Sequence, residues 1–157
     1  MSASFGFSEA NGSGEDVTDS LSNINLGSND SPNLNVTTYP VTRGNASFEK
    51  YIKAKFGSTF TTISNMLFWK SNGDYGAGEL IVAAANVSYV QPSATANADS
   101  ALPTSVGTAL AINAAGGGST ISAPGYTAYI RLQLHSTVST PSGSVAQKTF
   151  TFQYDEV

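Results

Sequence analysis

The sequence of residues 126–135 is Tyr-Thr-Ala-Tyr-Ile-Arg-Leu-Gln-Leu-His, and the alternation in this stretch decides the fold class. Apolar residues fall on one parity, and larger polar or amphipathic residues fall on the other. The apolar positions are Ala128, Ile130, Leu132 and Leu134. Because successive side chains of a strand point to opposite faces, this spacing predicts a β-strand with one face in a core and the other in water.

A second alternating stretch covers residues 147–154, near the end of the chain. Phe150, Phe152 and Tyr154 alternate there with threonine and glutamine, a mixture of aromatic and β-branched side chains that is typical of strands. Residues 136–146, between the two stretches, are rich in Ser, Thr, Pro and Gly. Their number predicts a wide hairpin that joins neighbouring antiparallel strands.

Two further strands are predicted in the middle of the chain. Residues 47–56 form the first, with inward positions at Phe48, Ile52, Ala54 and Phe56. Residues 61–70 form the second, and a turn signal at residues 71–74 follows it. One parity of this second strand holds Ile63, Leu67 and Trp69, and the other holds Met66 and Phe68. Apolar residues on both parities indicate a central strand that is covered on both faces.

Weaker alternation marks residues 80–85, 87–90 and 108–113 as strand candidates. Residues 35–41 are predicted to form an edge strand, since Pro40 cannot donate to a ladder. About seven short strands separated by turn residues predict an all-β fold, an antiparallel β-sandwich that is either immunoglobulin-like or a small jelly roll.

Residues 1–34 differ in composition from the rest of the chain. They are rich in Gly, Ser, Asn and acidic residues and contain only isolated apolar residues. Such a segment does not bury enough surface to offset the entropy lost on ordering it. We therefore expect a flexible or strap-like N-terminal arm over residues 1–34 and a β-sandwich domain over residues 35–157.

The composition indicates one domain with a mostly neutral surface. The 157 residues suffice for one hydrophobic core, and only 11% of them are charged, against about 25% in an average soluble domain. A surface with few charges gives little repulsion between neighbouring copies, which favours dense packing in an array.

Charge and hydropathy argue against two classes of partner. The net charge is −4, and Lys53 and Lys55 are expected at outward positions of a strand, where they do not form a focused phosphate-binding face with Lys50. No apolar run approaches the ~20 residues needed to cross a bilayer, and residues 1–10 lack the pattern of a secretory signal. We therefore expect neither nucleic acid nor a membrane as partner, and synthesis in a cytoplasm.

Residue types that carry chemistry are sparse. Cysteine is absent and His135 is the only histidine, so neither a zinc site nor a Cys–His pair is expected, and no Gly-x-Ser-x-Gly elbow is present. Asn72, Asp74 and Glu79 supply a fragment of a calcium site without EF-hand spacing, which favours an exposed hairpin. Residues 114–119 are Gly-rich but lack the Lys-Ser/Thr ending of a phosphate-binding loop, and are interpreted as a flexible loop. We predict no catalytic, cofactor-binding or metal-binding residue.

The aromatic residues leave a binding function open. Trp69 alternates in register with Ile63 and Leu67, which favours a core position over a sugar-stacking platform. Residues 89–106 form a long loop with two prolines at Pro92 and Pro103, and such loops are commonly interaction surfaces. The tyrosines considered for a binding face are Tyr75, Tyr89 and Tyr126.

Three stretches of the chain resemble virion proteins of tailed bacteriophages. They are residues 63–75 (Ile-Ser-Asn-Met-Leu-Phe-Trp-Lys-Ser-Asn-Gly-Asp-Tyr), residues 129–134 (Tyr-Ile-Arg-Leu-Gln-Leu) and residues 150–156 (Phe-Thr-Phe-Gln-Tyr-Asp-Glu). The resemblance covers roughly residues 45–157. It implies a β-sandwich displayed on a capsid or tail, as a decoration (cement) protein or a tail-associated subunit, and it implies no catalytic residues.

The leading hypothesis is therefore a non-enzymatic structural component of a phage-like virion, made in the host cytoplasm. It would contact other capsid or tail subunits and form a homo-oligomer in a symmetric assembly. The first alternative is a carbohydrate- or receptor-binding module of a tail or fibre apparatus. The second is an enzyme with carboxylates on distant loops, which the spacing of the acidic residues does not favour.

Overall fold

Two antiparallel sheets form the protein. The computed structural model describes residues 2–143 and 146–157, and within them ten β-strands and one 3₁₀-helix. The strands are β1 (Ser4–Asn11), β2 (Asp16–Thr18), β3 (Lys50–Gly57), β4 (Ile63–Asn72), β5 (Glu79–Val87), β6 (Ser100–Ala101), β7 (Leu110–Ala111), β8 (Gly125–Tyr126), β9 (Tyr129–Ser136) and β10 (Thr149–Glu156); the 3₁₀-helix is Val106–Thr108. The seven-stranded sheet has the order β2-β1-β3-β9-β5-β6, with β8 paired to β3, and the three-stranded sheet has the order β10-β4-β7.

The core lies between the inner faces of the two sheets. Ile52, Ala54 and Phe56 of β3 are fully buried, and they share this core with Phe68 of β4 and Ile130 of β9. Of the apolar positions predicted in residues 47–56, 126–135 and 147–154, all but Phe48 and Ala128 belong to this core or pack against it. The prediction of an all-β, antiparallel sandwich is thus confirmed, with ten short strands among the described residues instead of about seven.

The predicted hairpin between the last two strands is wrong. β9 lies in the seven-stranded sheet, whereas β10 pairs with β4 in the other sheet, so the connection crosses from one layer to the other. A connection of this length can reach either a neighbouring strand or the opposite sheet. Here β10 lies in the opposite sheet, where its aromatic side chains pack against Phe7 of β1 and Phe56 of β3. Residues 144 and 145 of this connection lie outside the described residues, as does Met1.

The N-terminal segment differs from the expected arm. β1 pairs with β3 from Ser4 opposite Gly57 to Ala10 opposite Tyr51, and β2 extends the sheet beyond it. After this hairpin the chain continues along the core, where Leu34 is buried. The isolated apolar residues of this segment find their partners in strands far along the chain, which local composition does not reveal.

Three predicted strands are not formed as expected. Residues 35–41 are turns, because the Asn35 carboxamide accepts hydrogen bonds from the backbone N–H groups of Thr37 and Thr38, at 2.9 and 3.2 Å, and so offers the backbone an alternative to a ladder. Only Val87 of residues 87–90 belongs to a strand, and of residues 108–113 only Leu110–Ala111 pairs with a neighbour.

A β-bulge in β4 changes the predicted parity of that strand. Leu67 lies opposite Gln153 and Ser64 lies opposite Asp155, so β4 contains one residue more than β10 over this interval. Asn65 absorbs the extra residue with a φ of 49°, in the left-handed region that asparagine tolerates. β4 is the central strand of its sheet, as predicted, but the core position predicted for Trp69 is wrong. Because a one-residue slip reverses the faces, Ile63 and Phe68 both face the core while Trp69 faces outward.

The outer face of the seven-stranded sheet is not the wet surface that alternation predicts. Gln133 is fully buried there, and its carboxamide donates hydrogen bonds of 2.9 Å to the carbonyl oxygens of Ser47 and Thr95. Tyr51 and Tyr129 form a small second cluster with Tyr89 on the same face. The long loop of residues 89–106 therefore begins by covering its own sheet.

The bulge provides a test of how Trp69 is positioned. We expect Asn65→Ala to be less stable than Asn65→Gly by about 1 kcal/mol, because alanine meets a steric penalty at positive φ that glycine avoids. Both variants lose the hydrogen bond from Asn65 to Asp155, so the difference between their free energies of unfolding reports the cost of positive φ at this position. Urea unfolding of the two variants measures it, and equal stabilities would contradict the bulge geometry.

Candidate interaction surface

Arg131 and Lys55, on the outer face of the seven-stranded sheet, are paired with carboxylates of the chain. Arg131 donates to both carboxylate oxygens of Asp99, at 2.8 and 2.6 Å, and lies 3.7 Å from a carboxylate oxygen of Glu49. Lys55 forms an ion pair of 2.5 Å with Asp19. The hydrogen bond to Asp99 raises the pKa of Arg131, and the hydrogen bond from Lys55 lowers the pKa of Asp19. This face is engaged in intramolecular contacts.

The outer face of the three-stranded sheet has a different character. Trp69 and Leu67 of β4 lie half-buried at its centre, with Thr151 opposite Trp69 and with Gln153 and Ala111 on either side of Leu67. We call this set the open face; with Thr149 it consists of Leu67, Trp69, Ala111, Thr149, Thr151 and Gln153. None of these side chains is charged, so covering this face removes no ionic group from water.

The open face ends at an unpaired strand edge. β10 is the terminal strand of its sheet, and no described strand pairs with its second edge. Such an edge presents a row of backbone N–H and C=O groups that can bind another strand. Phe5, 41% exposed, lies beside this edge with its ring centroid 5.5 Å from that of Phe152 and 5.7 Å from that of Tyr154.

The combination of open face and edge suits contact with another protein. Free backbone groups of an edge are satisfied by strand addition, and a neutral face with a central aromatic residue resembles the core of a protein interface. Trp69 is the residue that sequence periodicity placed wrongly, and the available signal was Asn65, a residue tolerant of positive φ inside an otherwise regular strand.

His135 lies near the end of β9, opposite Leu80 of β5. Its Nε2 atom is 2.9 Å from the Gln133 side-chain oxygen, which ties the imidazole to a residue of its own strand. The structure therefore brings the histidine to an amide group, where it completes the hydrogen bonding of Gln133.

The three residues considered for calcium are not brought together. Asn72 accepts a hydrogen bond of 2.8 Å from the Gly73 N–H, and Asp74 is exposed. Glu79 is buried, forms an ion pair of 2.7 Å with Lys148, and accepts a hydrogen bond from the Gly76 N–H. Throughout residues 2–143 and 146–157, no group of three or more His, Cys, Asp or Glu residues is arranged to hold a metal ion.

The three clustered lysines take two kinds of position. Lys53 and Lys55 face outward on β3, as predicted, and the Lys53 ammonium lies 4.4 Å from the ring centre of Tyr126 and 4.6 Å from that of Tyr129. Burial in this aromatic setting lowers the pKa of Lys53. Lys50 points to the opposite, inner face and pairs with Glu9. The lysines therefore do not form one basic surface.

The tyrosines considered for a binding face are held by contacts within the chain. Tyr75 is half-buried, with the Lys70 ammonium 4.9 Å from its ring centre. The Tyr89 hydroxyl donates to the Gly12 carbonyl, and the Tyr126 hydroxyl donates to Asp19. Residues 114–119 form a tight turn in which the Ala114 N–H donates to the Gly118 carbonyl at 2.6 Å.

No protein-family model, curated protein or solved structure matches the chain. Among the described residues no helix has the length and apolar character needed to cross a membrane.

Tyr89 gives a pH-dependent test of its contacts. Burial raises its pKa to about 12, whereas a tyrosine in an unfolded chain ionises near pH 10. The unfolded state therefore releases its proton first, and the stability from Tyr89 is present below about pH 10 and lost as the pH rises toward about 12.

We expect the free energy of unfolding to fall less steeply above about pH 10 in Tyr89→Phe than in the wild type, because phenylalanine has no proton to release. Urea unfolding at a series of pH values measures both slopes. Identical slopes in the two proteins would contradict the burial of this hydroxyl.

Proposed function

We propose that the protein is a non-enzymatic structural component of a phage-like particle, which decorates or stabilises a capsid or tail through contacts with other subunits. The observation that carries the proposal is the uncharged open face together with the unpaired edge of β10. The resemblance of residues 45–157 to virion proteins of tailed bacteriophages indicates the kind of assembly.

The physics of the open face supports a permanent contact. An antiparallel sheet with one bare face normally covers it with charged and polar side chains, and an exposed edge is normally blunted by lysine or proline. β10 contains no charged residue and no proline between Thr149 and Tyr154, and its sequence there is Thr-Phe-Thr-Phe-Gln-Tyr. Such a strand is prone to aggregation in a free monomer and is protected once another subunit pairs with it.

The same surface suits repeated copies in a symmetric assembly. Two β10 edges can pair antiparallel about a two-fold axis, which buries the same strand of each copy. Four of the seven basic residues are paired with carboxylates of the chain, which lowers their tendency to bind a polyanion; they are Lys50, Lys55, Arg131 and Lys148. The proposed partners are therefore copies of this chain and other virion proteins, and the proposed location is the virion.

Charge introduced on the open face tests the proposal. We expect the double variant Thr151→Lys/Gln153→Lys to lose self-association and binding to assembled particles, because the interface would have to bury two unpaired ammonium groups. Val90→Lys is the control for a new surface charge outside the open face, since Val90 is 60% exposed on the segment that covers the other sheet. Sedimentation velocity measures self-association, and co-sedimentation with particles measures binding. A wild-type chain that stays monomeric and does not co-sediment would overturn the proposal.

A second candidate function is supported by the outward position of Trp69. A half-buried indole beside Thr151, with Gln153 next along the strand, provides an apolar surface with hydroxyl and amide groups at its margin, which is the chemistry that binds sugar rings. Under this alternative the protein is a carbohydrate- or receptor-binding module of a tail or fibre apparatus.

The two candidates are separated by substituting the indole. If the protein binds carbohydrate, we expect Trp69→Ala to abolish binding on a glycan array, whereas Tyr126→Ala, at the outer face of the other sheet, should leave it unchanged. Unaltered binding in Trp69→Ala would contradict the sugar platform, and particle binding without any glycan signal would favour the structural role.

A further inference from the structure

A polar triad lies at one end of the core, on the inner face of the seven-stranded sheet. Glu9 and Asn11 are on the same parity of β1 as Phe7, and Lys50 is on the same parity of β3 as Ile52. Glu9 lies opposite Ile52 and Ala10 opposite Tyr51, so Asn11 and Lys50 directly follow the last pair of this ladder. Residues that face each other across antiparallel strands have Cβ atoms about 5 Å apart, within reach of a lysine side chain.

One carboxylate joins the other two members of the triad. The Lys50 Nζ atom lies 2.7 Å from Oε2 of Glu9, and the Asn11 Nδ2 atom donates to Oε1 of Glu9 at 2.8 Å. Glu9 is fully buried, and Asn11 and Lys50 are 9% and 5% exposed. An amine, a carboxamide and a proton-accepting carboxylate are thus confined together, away from bulk water.

The amide of Asn11 is held on one side and free on the other. Its nitrogen also donates to Oδ1 of Asp30 at 2.8 Å, and Oδ2 of Asp30 accepts the Gly12 N–H at 2.7 Å. Its oxygen is buried and has no hydrogen-bond partner among the described residues. A buried acceptor without a donor is costly, so this amide is not fully stabilised by its surroundings.

From this geometry we propose that Lys50 and Asn11 become joined by an amide bond between Nζ and Cγ, with Glu9 as the catalytic proton carrier. Glu9 accepts a proton from the Lys50 ammonium, which frees the lone pair of Nζ. Nζ then attacks Cγ of Asn11, and Glu9 transfers protons from Nζ to Nδ2 as the Cγ–Nδ2 bond breaks.

The reaction balances without any co-reactant. Nζ starts with three hydrogens and Nδ2 with two; the new amide keeps one hydrogen, and the departing ammonium ion carries the other four. Glu9 is a carboxylate before and after the reaction. Asp30, next to Nδ2, is placed to hold the ammonium ion as it leaves.

The product would be a covalent link between β1 and β3 in a chain that has no cysteine. A link between residues 11 and 50 closes a long loop and lowers the entropy of the unfolded chain, as a disulfide does. It would fix the N-terminal hairpin to the sheet independently of any partner, so the proposal does not rest on the proposed function.

A second buried pair in the same molecule serves as the internal control. Lys148 and Glu79 are 2.7 Å apart, and their side chains are 5% and 3% exposed. Among the described residues, Glu79 also accepts a hydrogen bond from the backbone N–H of Gly76, and no carboxamide side chain donates to it. This pair therefore has the amine and the carboxylate but lacks the acyl group.

The test is mass spectrometry of the denatured, full-length protein. The wild type and Lys148→Arg should be lighter than their sequence masses by one ammonia molecule, whereas Lys50→Arg and Glu9→Gln should have their full sequence masses. Asn11→Asp should instead lose one water molecule, because the leaving group is then the oxygen of a carboxyl group. This change of leaving group is not expected of a triad that only stabilises the fold.

Peptide mapping locates the bond. Trypsin does not cleave at an acylated lysine, so the wild type should yield residues 1–43 joined to residues 44–53 as one branched product. Ammonia lost through a cyclic imide at the Asn11-Gly12 step would leave residues 1–43 linear and would persist in Lys50→Arg, and that outcome would overturn the proposal. A wild-type protein of full mass with no branched peptide would overturn it equally.

Discussion

The structure depends on the inner face of β3. Ile52, Ala54 and Phe56 are fully buried there, and β3 pairs with β1, β8 and β9. Because side chains alternate along a strand, the same element places Tyr51, Lys53 and Lys55 on the outer face, where the aromatic cluster and the ion pair with Asp19 form. One strand thus connects the sandwich core, the N-terminal hairpin and the covered outer layer. A register error in β3 would reverse all of these contacts at once.

Local alternation was enough to predict the strands whose partners need not be known. β9 and β10 show a two-residue period along their whole length, and this period alone identifies a strand, although the outer side chains of β9 are also covered. The pairing of these strands was not predictable in the same way. Whether β10 pairs with β9 in a hairpin or joins the opposite sheet depends on where its aromatic side chains are buried, which local sequence does not show. The N-terminal strand was missed because Phe5 and Phe7 pack against residues far along the chain, such as Phe56 and Phe152.

The candidate site was less predictable than the fold, for reasons that concern single residues. The side of the sheet on which Trp69 lies depends on the bulge at Asn65. One inserted residue reverses the inward and outward positions of every residue that follows it in the strand. The burial of Lys50 had a signal, since Lys50 shares its parity with Ile52 and Ala54, but charged residues near strand ends are usually solvated. Its partner Glu9 lay in the segment expected to be an arm, so the ion pair could not be inferred before the N-terminal strand was known.

The unpaired edge of β10 is held in place at both ends. Lys148, just before the strand, forms the buried pair with Glu79 of the other sheet, and Glu156, at its end, accepts a hydrogen bond of 2.8 Å from the Ala3 N–H. Between these points the rings of Phe152 and Tyr154 pack against Phe56. An edge fixed in this way keeps its free N–H and C=O groups in strand geometry before any partner arrives. Strand addition to such an edge loses little conformational entropy, because the receiving backbone is already ordered. The seven-stranded sheet and its N-terminal hairpin therefore hold the three-stranded sheet in a fixed position. A subunit with such a rigid edge can bind its neighbours at a fixed angle.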